Sequence, residues 1–213
     1  MKEQFLQIYD AEIHRPGAEK LRDWLTRSAF FDDPASARHH LAIPGGLCQH
    51  SLNVYHRLKA LCYMEAGANP NFEMPDEETI AICGLLHDVC KVGTYVMEPR
   101  NQKTYDPGKV AAATKGQVKH DTLGDFIWET VMKYQNNDPM PFGHGEKSVY
   151  IISGFMQLSR EESFAIRYHM GPWQDGEKRN AGASFEMFEL ALLTHMADEL
   201  ATFVDEKETS KND

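Results

Sequence analysis

Apolar residues along this chain recur mostly at the three- and four-residue spacing of helices rather than the alternate spacing of strands. Leu21, Trp24, Leu25 and Phe30 predict a helix over residues 18–30. After the breaker Pro44-Gly45-Gly46, the positions Leu47, Val54, Leu58, Leu61 and Cys62 mark a second over 47–66. Pro75-Asp76-Glu77-Glu78 supplies the acidic first turn of a third, running to about Val89. Residues 122–134, 146–158 and 161–169 read as further helices, and a last one runs from near Ser184 to about Asp205.

Strand signals are sparse. Thr94-Tyr95-Val96-Met97 and Lys103-Thr104-Tyr105 flank Pro99-Arg100-Asn101-Gln102, which allows one small β-hairpin. Residues 107–121 read as a loop able to cover a site, and Glu206–Asp213 as a charged, flexible tail. The pattern therefore predicts an all-α protein, with one domain spanning 1–213 and a core over about 18–205.

Charge narrows the partners. The net charge of −10 argues against long nucleic acid, whose binders usually carry a basic face. A small anionic substrate stays compatible, since two divalent metals would add about four positive charges locally. No apolar run reaches the ~18 residues of a membrane span. Met1–Asp10 lacks the apolar stretch of a signal peptide, so a cytoplasmic location is expected. Cys48, Cys62, Cys83 and Cys90 form no C-x-x-C pair and are expected to be reduced and structural.

The candidate chemistry sits in Gly84-Leu85-Leu86-His87-Asp88-Val89-Cys90-Lys91, an apolar stretch that ends in an imidazole beside a carboxylate. Burying such a pair is costly unless it is neutralised or coordinated, and a metal ion accepts both groups as ligands. His50 upstream and His144, His169 and Asp198 downstream complete a candidate ligand set. Asp198 lies among Met196, Ala197, Leu200 and Ala201, so it should face a helix-bundle interior. A single histidine at a helix end is more often a cap than a ligand; the ordered set carries the argument. His14, His39, His40 and His120 lack such context, and His56 points to another helix face. His195, one turn before Asp198, is a candidate to orient a ligand.

The series His50, His87-Asp88, His144, His169, Asp198 resembles the signature of the HD-domain metal-dependent phosphohydrolase superfamily, in its dinuclear form. Leu85-Leu86-His87-Asp88-Val89-Cys90-Lys91 is similar to the family's LLHDxxK, Ala165-Ile166-Arg167-Tyr168-His169 to its I-R-x-H stretch, and Met196-Ala197-Asp198 to its closing x-A-D. The resemblance implies a single helical HD-type bundle and, in the dinuclear branch, two divalent ions. His50, His87, Asp88 and Asp198 would hold one ion, His144 and His169 would complete the second, and Asp88 would bridge them. Iron, manganese, zinc, nickel and magnesium all suit such donors. Because Met170-Gly171-Pro172 follows His169, the chain lacks the marks of the HD-GYP group, and cyclic-di-GMP is disfavoured as substrate.

Two close metals can activate a shared hydroxide and clamp a phosphoryl group in line. The expected activity is thus hydrolysis of a phosphomonoester or phosphodiester in a nucleotide-like substrate by a metal-bound hydroxide. Asp88 and Lys91 would be catalytic. Lys91, Glu146, Lys147 and Arg167 are candidates to contact substrate. The same ligand series also resembles the HD-fold diiron oxygenases, and a non-catalytic metal-binding or ligand-binding protein is a third reading.

Overall fold

The computed structural model describes residues 1–140, 142–173 and 178–207. The chain divides into two compact units, residues 1–95 with 137–213 and residues 96–136, where the sequence pattern suggested one domain. Residues 208–213 of the expected tail lie outside the described residues.

The larger unit is helical. Its elements are α1 (Lys2–Glu12), α2 (Ala18–Arg27), α3 (Gly46–Ala68) and α4 (Glu77–Leu86), followed by a 3-10 turn over Val89–Lys91. Asp76 caps α4 by accepting from Thr79 N–H at 2.7 Å, and Ile80 to Leu86 are all buried. A helix apolar on every face belongs at the centre of a bundle, and α4 packs there against α3, α1 and α7 (Arg160–Arg167). A Cβ on Gly84 would lie 2.5 Å from the Tyr55 Cα, so the bare glycine lets α4 lie directly on α3.

The smaller unit overturns three expectations. Residues 122–134 are not helical: β3 (Gly124–Asn136) is the central strand of a sheet ordered β1-β3-β2, with β1 at Tyr95–Thr104 and β2 at Lys119–Asp121. β2 and β3 are antiparallel, pairing Lys119 with Phe126 and Asp121 with Gly124. Leu123, Ile127, Val131 and Tyr134 imitate helical spacing. The competing alternation of Phe126, Trp128, Thr130, Met132 and Tyr134, rich in aromatic residues, prevails. The expected hairpin at 94–105 is instead one continuous strand, β1, and the expected loop at 107–121 contains α5 (Pro107–Ala112) and β2. Within the larger unit the chain rejoins where it left, as Asn137 N–H donates to Thr94 C=O at 2.7 Å.

The C-terminal half returns to helices: α6 (His144–Ser153), α7, α8 (Lys178–Met187) and α9 (Glu189–Leu200). The single helix expected from Ser184 to Asp205 is therefore broken at Phe188, the extended N-cap of α9. Beyond α9 the backbone widens into a π-turn over Ala201–Asp205, closed by Glu206 N–H donating to Ala201 C=O at 2.9 Å. Glu206, expected in a solvated tail, is buried. All four cysteines are free and buried, and among the described residues no helix is long and apolar enough to cross a membrane.

Candidate metal centre

The six residues singled out by the sequence meet in the helical unit. His50 projects from the second turn of α3, and His87 and Asp88 leave the C-terminus of α4. His144 is the first residue of α6, His169 follows α7, and Asp198 sits in α9. Two bare glycines bring the histidines into reach. Gly84 allows the close α3–α4 contact that faces His87 to His50. Gly145, whose Cβ would meet the Arg167 carbonyl oxygen at 2.3 Å, presses α6 onto the end of α7 and faces His144 to His169.

Asp88 is the hinge of the arrangement. Its Oδ2 lies 3.4 Å from His50 Nε2, 3.6 Å from His87 Nε2 and 2.5 Å from Lys91 Nζ. The other oxygen, Oδ1, lies 2.7 Å from His144 Nε2 and 3.5 Å from His169 Nε2. Asp198 Oδ1 stands 3.2 Å from His50 Nε2. One carboxylate thus divides its two oxygens between two groups of imidazoles.

Hydrogen bonds on the outer side fix the tautomers. His87 Nδ1 donates to Gly84 C=O at 2.9 Å and His169 Nδ1 to Ile166 C=O at 2.7 Å. His50 Nδ1 donates to Glu206 Oε1 at 3.0 Å. Carbonyl and carboxylate oxygens only accept, so a proton sits on each Nδ1, and Nε2 is the ring atom that faces the cluster and offers a lone pair whenever the ring is neutral. The Nε2 atoms of His50 and His87 are 3.2 Å apart. The fully buried Nε2 of His169 has no hydrogen-bond partner. Inward-facing Nε2 atoms beside two buried carboxylates call for positive charge among them, and the donor set fits a divalent metal.

The electrostatics agree. Burial pushes the His87 imidazole down to about 3, keeping it neutral as a ligand must be. Burial also opposes charge on His50, but hydrogen bonds that its ring donates to Asp198, Asp88 and Glu206 outweigh it and raise this group well above the usual range. The carboxylates thereby stabilise a positive charge at that point, whether a proton or a metal ion supplies it. Burial works against ionised Asp88 too, yet Lys91, His87 and His144 hold it well below the ordinary carboxylate range.

Sequence reasoning missed three neighbours. Glu206 accepts from His50 and, at 2.9 Å, from Asn53 Nδ2. His40, set aside as a loop residue, has its ring tilted against that of His50, with centroids 4.8 Å apart, and its Nε2 lies 3.9 Å from Glu206 Oε2. Cys90 lies 3.8 Å from Asp88 Oδ1 and 3.5 Å from His144 Nε2. Of these, Cys90 had a signal in its place two residues after Asp88, inside the same motif.

The remaining candidates have other partners. Lys147 is buried with its Nζ 2.6 Å from Asp138 Oδ1, Glu146 accepts from Gly143 N–H at the start of α6, and the Arg167 guanidinium stacks 4.9 Å from the Tyr168 ring. His195 does not orient Asp198. Its Nδ1 donates to the backbone carbonyl of His169 at 2.7 Å, which holds the turn carrying that ligand candidate.

No curated protein and no solved structure matches the chain. The HD domain family matches residues 47–206, a stretch that contains all six convergent side chains and ends on Glu206, and the chain belongs to that family.

Proposed function

We propose that this protein is a metal-dependent phosphohydrolase that cleaves a phosphomonoester or phosphodiester in a small, nucleotide-like substrate. The observation that carries the reading is the divided Asp88 carboxylate, with His50 and His87 on its Oδ2 side and His144 and His169 on its Oδ1 side. Two ions would fit this arrangement: His50, His87, Asp88 and Asp198 would hold the first, and Asp88, His144 and His169 would hold the second. When bound, such ions supply Lewis acidity and lower the pKa of a coordinated water.

The chain's own residues do the rest. Asp88 sets the spacing of the two halves. The Nδ1 bonds to Gly84, Ile166 and Glu206 keep three imidazoles in the ligating tautomer. Lys91 places a buried ammonium against Asp88, where a phosphoryl oxygen can share its charge. Of the four side chains expected to contact substrate, Lys91 is the one within this cluster. Lys147 is committed to Asp138 and Glu146 to the start of α6.

Phosphate release from nucleotides and bis(p-nitrophenyl) phosphate, measured on chelated protein reloaded with single divalent metals, tests the reading. Metal-dependent release that Asp198→Asn abolishes is the expected result. Dioxygen uptake by the iron-loaded protein without phosphoester turnover would assign the chain to oxygenase chemistry instead. Metal binding without any turnover would make it a binding protein.

A further inference from the structure

The motif that carries His87 and Asp88 continues into Cys90, and the proposed phosphohydrolase chemistry makes no use of this thiol. Cys90 is 2% exposed and sits on the 3-10 turn Val89–Lys91. Its backbone N–H donates to the hydroxyl of Ser148 at 3.2 Å, and Ser148 is a buried residue of α6, the helix that begins with His144. The turn and the helix together therefore fix where the sulfur lies.

Its Sγ is 3.8 Å from Asp88 Oδ1 and 3.5 Å and 3.6 Å from the two ring nitrogens of His144. Donor atoms of Asp88, Cys90 and His144 all lie within 4.8 Å of one another. Among the described residues Cys48, Cys62 and Cys83 belong to no such group. A separate observation marks the same place as a ligand position. The buried Nε2 of His169 has no hydrogen-bond partner and faces Asp88 Oδ1, the oxygen that Cys90 and His144 approach.

We infer that Cys90 is a thiolate ligand of the ion held by Asp88, His144 and His169, making this half of the centre a soft site. The inference rests on the metal-centre reading and goes beyond it by specifying the metal class. Thiolate with imidazole suits zinc, cobalt and ferrous iron, whereas magnesium and calcium prefer oxygen donors. As the sulfur–metal bond forms, the S–H bond breaks and its proton passes to solvent, since a coordinating thiol is deprotonated. The two halves then differ in kind: imidazole and carboxylate donors on the His50 side, an added sulfur on the His144 side.

The test is cobalt(II) reconstitution of the full chain after chelation, with bound cobalt counted by elemental analysis. Near-ultraviolet thiolate-to-cobalt charge-transfer absorption is expected in the wild type, lost in Cys90→Ser and kept in Cys48→Ser. Cobalt X-ray absorption of the wild type asks the same question without any substitution, and a sulfur neighbour is expected. Bound cobalt with only nitrogen and oxygen neighbours, or a charge-transfer band that survives Cys90→Ser, overturns the inference and leaves the metal centre standing. Failure of the wild type to bind cobalt at all overturns the inference together with the reading beneath it.

Discussion

His50 Nδ1 lies 3.0 Å from Glu206 Oε1, a hydrogen bond that spans 156 residues of chain and joins the second turn of α3 to the π-turn beyond α9. The wide turn matters because it rephases the chain. Five residues close one turn, so Glu206 returns to the side of the helix axis that carries Asp198. The carboxylate then fixes the His50 tautomer from behind while Asp198 and Asp88 face its Nε2.

Removing that carboxylate's charge should weaken the centre without dismantling it. Glu206→Gln is expected to lower metal affinity by roughly 10–100-fold, the usual effect of losing an outer partner of a ligating histidine. Chelator competition measures it, and an unchanged affinity would detach Glu206 from the site.

Asp88 carries a different kind of prediction, since it partners both imidazole groups and Lys91. Asp88→Asn should reduce bound metal sharply. It should also destabilise the fold by about 3–5 kcal/mol, because the Lys91 ammonium is left buried without its counter-charge. The double variant Asp88→Asn/Lys91→Met separates the two effects. Thermal stability should recover while metal content does not, by calorimetry and elemental analysis on the same samples.

Gly84→Ala tests the contact that faces His87 to His50. The new methyl would sit 2.5 Å from the Tyr55 Cα, so α3 and α4 must move apart. A loss of about 1–3 kcal/mol in denaturant unfolding is expected from overpacking. Metal affinity should fall with it, because the two histidines ride on the separating helices. Stability loss with unchanged affinity would contradict this coupling.

Acid stability should depend on a cluster remote from the metal ligands. Glu78 Oε1 accepts from the backbone N–H groups of His14 and Arg15 at 2.6 Å and 2.8 Å, and Oε2 accepts from the Arg15 guanidinium at 3.2 Å. Partial burial pushes this carboxyl up, but those three bonds prevail and hold it below the usual range. A depressed folded-state pKa stabilises the protein above the unfolded value of about 4.3 and loses that contribution as pH falls through the folded one. Glu78→Gln should therefore lower Tm at pH 6 and narrow the gap to wild type on descending to pH 3. A pH-independent gap would contradict the assignment.

Much of the site was readable before folding, for reasons that individual residues show. His87-Asp88 announces itself because an apolar helix rarely ends in two ligand types unless they are used. Asp198 does so because a carboxylate among Met196, Ala197, Leu200 and Ala201 needs a buried partner. Glu206 was invisible because its sequence neighbours are charged, and only the π-turn, which local spacing does not encode, carries it inward. The strand β3 was misread for the opposite reason: residues 123–134 satisfy two periodicities at once, and sheet pairing decides between them. Lys147 and Glu146 looked like substrate ligands through proximity to His144, yet Asp138 and the α6 N-terminus claim them.

Anomalous diffraction from crystals grown with cobalt(II) tests the central claim most directly, because it locates ions without reference to activity. Two peaks flanking the Asp88 carboxylate are expected, one within ligand reach of His50, His87 and Asp198 and the other beside His144 and His169. Cobalt found only at the protein surface, with none near Asp88, would contradict the account.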